Sequence, residues 1–127
     1  MKFNEELSSG QYYSITAYDI GCVEINNKII SSTCIVSPNY ADKWEVNDFQ
    51  TLSAEQIMEL IALKPEIILL GTGTKHMLPN EPLLKTLVNT HIGFEIMNTT
   101  AACRTYNILM NEGRNVVAGL FMIEQQA

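Results

Sequence analysis

This chain of 127 residues has few cysteines, few basic residues and no long apolar run, and each shortage removes a class of protein. The three cysteines, Cys22, Cys34 and Cys103, are odd in number, far apart and never in a CxxC pair. That excludes a disulfide framework and a cysteine-built zinc site. No metal constellation stands out and no cofactor is expected. Eight Lys and Arg face 14 Asp and Glu, a net charge of −6. Nucleic acid and anionic membranes are therefore poor general partners. No apolar run approaches the roughly 20 residues needed to span a bilayer, so membrane insertion is not expected. The start, Met1 to Glu6, has neither the apolar core of a secretory signal nor an Arg-rich, acid-poor character. The expected location is cytoplasmic. There is no GxxxxGK[ST] loop, and His76 stands where a dinucleotide fingerprint counted from Gly71 needs its third glycine. A Ser-His-Asp arrangement and paired acids at a diagnostic spacing are also missing.

What is present is globular in composition, with 46% hydrophobic and 17% charged residues. The length fits one domain, residues 1–127. The first third reads as antiparallel strands. In Ser14 to Asp19, Ile15 and Ala17 alternate with Thr16 and Tyr18. Cys22 to Ile25 is next, then Asn26-Asn27 as a hairpin turn, then a run from Lys28 to Val36. Ser37-Pro38-Asn39 ends this meander. The segment to Asp48 reads as irregular, with Trp44 as a loop anchor.

From Leu52 the periods change. Leu52 to Lys64 reads as a helix, with Ser53 and Gln56 at capping-box spacing and Pro65 as its stop. Glu66 to Leu70 is a continuous apolar strand, covered on both faces. Asn80 caps a helix to about Thr90, with Pro82 in its first turn and Leu83, Leu84, Leu87 and Val88 as core stripe. Phe94 to Met97 is a strand after Gly93. A third helix, capped by Asn98 or Thr99, runs to about Glu112, and Gly113 closes it. Asn115 to Phe121 is the last strand. Short links make this C-terminal half a parallel βαβαβ unit.

That topology places Gly71-Thr72-Gly73-Thr74 and Asn98-Thr99-Thr100 at one end of the sheet, where open α/β folds hold ligands. The candidate ligand-binding residues are Gly71, Thr72, Gly73, Thr74, Lys75, Asn98, Thr99 and Arg104. The glycines allow close approach, the threonines offer hydroxyls, and the helix start with Lys75 and Arg104 suits a small anion. The competing reading makes the glycines a plain turn. On the third helix, Ala101, Ala102, Thr105 and Leu109 form the packing side. Arg104, Asn107 and Asn111 form the opposite side, either an interaction face or a solvated one. Cys103 near the helix start, beside Arg104, is a candidate thiolate nucleophile, with His76 as the candidate base. Against this, Cys103 also suits a small packing residue and His76 a solvated loop.

Gly71-Thr72-Gly73, Pro79, Ile92-Gly93-Phe94-Glu95-Ile96-Met97-Asn98-Thr99, Ala101-Ala102-Cys103-Arg104-Thr105-Tyr106-Asn107-Ile108-Leu109 and Glu112-Gly113-Arg114 occur in one order. In that order they resemble the Mth-type domain family of uncharacterised proteins. The family includes the adipogenesis-associated domain protein and the mitochondrial complex I assembly factor 3. The resemblance implies a three-layer α/β/α fold with a mixed, mostly parallel sheet and an added N-terminal antiparallel β portion. It implies no reaction, and the mitochondrial relative acts with a partner protein. Family members often carry Asp where this chain has Asn98, which removes a carboxylate from the candidate site. The leading expectation is a non-enzymatic binding or assembly module with a protein partner. The alternative is an enzyme or small-ligand binder acting on an anionic small molecule. Homo-oligomerisation through the β portion stays open.

Overall fold

A computed structural model describes residues 11–125; residues 1–10 and 126–127 of the expected domain lie outside the described residues. Asn26 and Asn27 take positive φ, 47° and 69°. This is the backbone of a tight hairpin turn, which Asn tolerates. The turn joins β2 (Cys22–Ile25) to β3 (Lys28–Ile30), and β1 (Ile15–Asp19) pairs antiparallel on the other side of β2. The expected alternation in β1 does not persist. Its register shifts between Ile15 and Ala17. Ile15 is buried, Ala17 is exposed and Tyr18 turns to the core. An extra residue in one strand moves the side chains beyond it to the other face.

The run from Lys28 to Val36 is not one strand. It divides into β3 and β4 (Cys34–Ser37), which belong to different sheets. The segment read as irregular contains β5 (Tyr40–Lys43), a hairpin partner of β4. As an edge strand carrying Asp42 and Lys43, β5 has no apolar alternation to reveal it. The second sheet has the order β5-β4-β8-β6-β7, with β6 (Ile67–Thr72), β7 (Gly93–Met97) and β8 (Val116–Phe121). β6 is parallel to both β7 and β8, and β4 is antiparallel to β8.

The helices begin where their caps predict. α1 (Ala54–Ile61) has the complete Ser53/Gln56 capping box. The Asn80 side chain accepts from Leu83 N at 2.8 Å at the start of α2 (Glu81–Asn89). Asn98 accepts from Ala101 N at 2.8 Å at the start of α3 (Thr99–Asn111). The core stripe of α2 is narrower than expected. Leu83 and Leu87 are buried, but Leu84 is 41% and Val88 56% exposed. α2 links β6 to the edge strand β7, and a single stripe is enough to cover that margin of the sheet.

Two cores lie on the two faces of the five-stranded sheet. Ile35, Ile68, Leu70, Val117 and Phe121 face α1 and α2. Cys34, Leu69, Val116, Ala118 and Leu120 face α3 and the three-stranded sheet. The fold is therefore three layers of mixed α/β, and one outer layer is a helix beside an antiparallel sheet. Each fully buried Leu or Ile contributes about 1.5–3 kcal/mol. The central strands β6 and β8, buried along nearly their whole length, anchor both cores.

Candidate functional site

The two expected turns do meet at the C-terminal ends of β6 and β7, and Thr99 joins them. Its N–H donates to Gly73 O at 2.8 Å. Its hydroxyl accepts from Gly73 N at 2.8 Å and donates to Phe121 O at 2.5 Å. One buried side chain thus ties the ends of β6 and β8 to the start of α3. The other hydroxyls also have internal partners. Thr72 Oγ1 donates to Lys75 O at 2.5 Å. Thr74 Oγ1 donates to Glu124 O at 3.1 Å and accepts from Glu124 N at 2.7 Å. Gly71 has no open space beside it. A Cβ there lies 2.9–3.1 Å from Thr99 Oγ1, Leu120 Cδ2 and Ala102 Cβ. That glycine lets α3 approach the sheet closely. Lys75 and His76 are exposed.

The buried stripe of α3 is Thr99, Ala102, Cys103 and Tyr106, which corrects the expected packing side. Ala101, Thr105 and Leu109 are only half-buried. The opposite trio divides. Asn107 Oδ1 accepts from Ile15 N at 2.9 Å and its Nδ2 donates to Ile15 O at 2.7 Å. The side chain therefore clamps β1 to α3. Arg104 Nε donates to Tyr18 Oη at 2.8 Å, with the guanidinium 5.9 Å from the ring centroid. Asn111 is exposed. Tyr106 Oη donates to Tyr13 O at 2.7 Å beneath this clamp.

The thiolate expected at Cys103 is overturned. The residue is 1% exposed, and burial pushes its thiol up to about 12. Burial also raises Cys34, and the charge of Cys103 raises it further, so the two thiols share one core region. Both are free. Exposed His76 makes no hydrogen bond to buried Cys103, so the expected nucleophile and base are not brought together.

The accessible space at this end of the sheet takes in only the first of the two expected turns. A groove of about 940 Å³ runs between the Thr72–Lys75 turn and the segment from Lys43 to Gln50. Thr72, Gly73, Thr74 and Lys75 border it, but Gly71, His76, Asn98, Thr99 and Arg104 do not. Lys75 and Arg104 thus serve different surfaces. The groove residues that sequence reasoning missed are Ser32, Lys43 and Trp44. Their only signal was a lone tryptophan in a stretch without periodicity. Trp44 is 3% exposed and packs at 5.8 Å from Phe121. Its six-membered ring lies against Gly119, where a Cβ would collide with Cζ3. Trp44 Nε1 and Ser32 Oγ are buried without hydrogen-bond partners. A buried donor left so costs about 1–3 kcal/mol. Among the described residues, no three His, Cys, Asp or Glu side chains are grouped to hold a metal ion. No helix among them is long and apolar enough to cross a membrane.

Comparison with known proteins fits this architecture. Residues 15–121 match the family described as protein of unknown function (DUF498/DUF598), and the chain belongs to it. It is 36% identical over 88 residues to the 13 kDa major membrane protein of Francisella tularensis subsp. holarctica, covering 69% of this chain and 68% of that one. It is 31% identical over 108 residues to the NADH dehydrogenase [ubiquinone] 1 alpha subcomplex assembly factor 3 of Rattus norvegicus. That match covers 84% of this chain but spans only 58% of the rat protein's length. A Bordetella parapertussis protein of known crystal structure superposes with a TM-score of 0.83 at 33% identity, covering 91% of this chain and 99% of that one. A solution structure from Bordetella pertussis, described as a Mth938-like domain, gives 0.78 at 28% identity, covering 94% and 92%.

Proposed function

We propose that this member of the DUF498/DUF598 family works as a non-enzymatic binding module that holds a protein partner during an assembly step. The observation that carries the reading is the likeness, over most of this chain, to proteins named as assembly factors. The chemistry of the strand ends supports it. The hydroxyls of Thr72, Thr74 and Thr99 hold the fold together, and the one thiol near them is buried and protonated. What remains outward is Lys75 and His76 on the turn, and Arg104 and Asn111 on α3. These are the contact residues of the proposal, with Asn107 acting from beneath by fixing β1.

The test compares proteins that co-purify with the tagged wild-type chain and with an Arg104→Glu variant, with circular dichroism as the check on folding. The expected result is a stoichiometric partner held by the wild type and lost from the folded variant. An identical set of partners in both removes the α3 face from the proposal. A wild-type chain that retains no stoichiometric partner counts against the module itself.

A second reading, a site for a small anion at the strand ends, is favoured by the groove with its unpartnered donors. Of the residues first expected to form it, the groove takes in Thr72, Gly73, Thr74 and Lys75 but not Gly71, Asn98, Thr99 or Arg104.

A further inference from the structure

Two of the residues that line the groove beside the C-terminal ends of β6 and β8 carry an unmatched donor. Trp44 Nε1 is buried without a partner, and so is Ser32 Oγ. The Cε3, Cζ3 and Cη2 edge of the indole lies against Gly119. The nitrogen-bearing edge is therefore on the side of the ring away from Gly119, and Trp44 itself lines the groove with Phe121 and Met122. Lys43 and Lys75 stand on the same groove, and neither makes an ion pair among the described residues. An indole N–H can only donate, so its missing partner is an acceptor. Acids are also present. Asp48 already accepts from Gln50 N at 3.0 Å, while Glu45 and Glu124 are exposed. None of the three accepts from the buried N–H, and beside the two lysines they make a cationic occupant the main competitor. The rest of the lining includes Phe49, Phe121, Met77 and Met122, an apolar bed for a ligand body.

We propose that this groove binds a small organic carboxylate with an apolar body. Its carboxylate oxygens accept from Trp44 Nε1 and Ser32 Oγ between the Lys43 and Lys75 ammonium groups. The volume, about 940 Å³, is near the upper end for small-molecule sites. This inference goes beyond the partner-binding reading and does not rest on it.

The chain has one tryptophan, so a single indole N–H signal reports the site. Nitrogen-15-labelled protein is titrated with sodium hexanoate, and separately with hexylammonium chloride and 1-hexanol. Hexanoate is expected to move the indole signal downfield and saturably, while the amine and the alcohol leave it in place. Lys43→Gln and Lys75→Gln should each weaken hexanoate about two- to fivefold, the range exposed ion pairs support. Trp44→Phe keeps an aromatic ring over Gly119 but removes the donor. In that variant, backbone shifts of Phe121 and Met122 replace the indole as probe, and hexanoate should no longer move them. Absence of a saturable shift in the wild type overturns the proposal. So does an equal response to hexylammonium or hexanol, or unchanged hexanoate binding by folded Trp44→Phe. Failure here leaves the partner test untouched, because that test reads Arg104 on a different surface.

Discussion

At Cys103 two influences act in opposite directions, and their reach decides the result. A helix start lowers a thiol pKa, but the effect fades beyond the first turn. Cys103 is the fifth residue of α3, counting from Thr99. Arg104 is next in sequence but points outward to Tyr18, while Cys103 points into the core. Burial is left to dominate, and the thiol rises from 9.0 to about 12. Because the folded value is above the unfolded one, the protonated thiol contributes stability that is fully present below about pH 9. That stability is lost as pH rises from there through about 12. Cys34 and Tyr106 are raised too, so the alkaline loss is shared. A Cys103→Ala variant should therefore show a shallower fall in urea midpoint over that window than the wild type. At about pH 8 a thiol reagent should label half-exposed Cys22 quickly and both buried thiols only on unfolding. Labelling of native Cys103 as fast as Cys22 would contradict the burial account.

Thr99 shows what a cap region does once strands from elsewhere are packed on it. Replacing it by Val keeps the shape but leaves Gly73 N–H and Phe121 C=O unmatched in a buried site. Two such groups cost about 2–6 kcal/mol together. Thr99→Val should lower the urea midpoint accordingly, and Thr99→Ser should recover most of it; equal stability of the Val variant would show that the strand ends do not depend on this hydroxyl. The helix starts at Ser53, Asn80 and Asn98 were legible in the sequence because a cap is decided within four residues. So was the Asn26-Asn27 turn. The split between β3 and β4 was not, since Ser31 to Thr33 holds no Gly or Pro. Its cause is the pairing of β4 with β8, which lies far along the chain. Asn107 read as part of an outward face for the same reason. Its partner is the backbone of Ile15, 92 residues away.

Across the whole molecule, the end of the sheet that bears the groove and its Thr72–Lys75 wall could be read from βαβαβ order and the Gly-Thr-Gly turn, but the facing wall could not. That facing wall comes from Ser32, from Lys43 at the end of β5 and from the segment after it, where no periodic signal exists. The same long-range assembly makes the two sheets unequal. Among the described residues, the three-stranded sheet shares no ladder with the five-stranded one. It is held by the isolated Ile20–Ile123 bridge, by Gly21 N donating to Ile123 O at 2.6 Å, and by α3 through Asn107 and Tyr106. β6 and β8, in contrast, are paired on both sides and buried on both faces. Local opening tracks such differences in support. Native-state hydrogen exchange should give the amides of β1, β2 and β3 a lower opening free energy than those of β6 and β8. Asn107→Ala, which strips two bonds from β1, should lower the first group by about a further 1–3 kcal/mol. It should move β6 and β8 less, because a sub-global opening no longer requires breaking the central ladder. If all five strands shift together in the variant, α3 and its antiparallel neighbour are one cooperative unit with the central sheet, and the Asn107 clamp is part of the global core rather than a fastening on it.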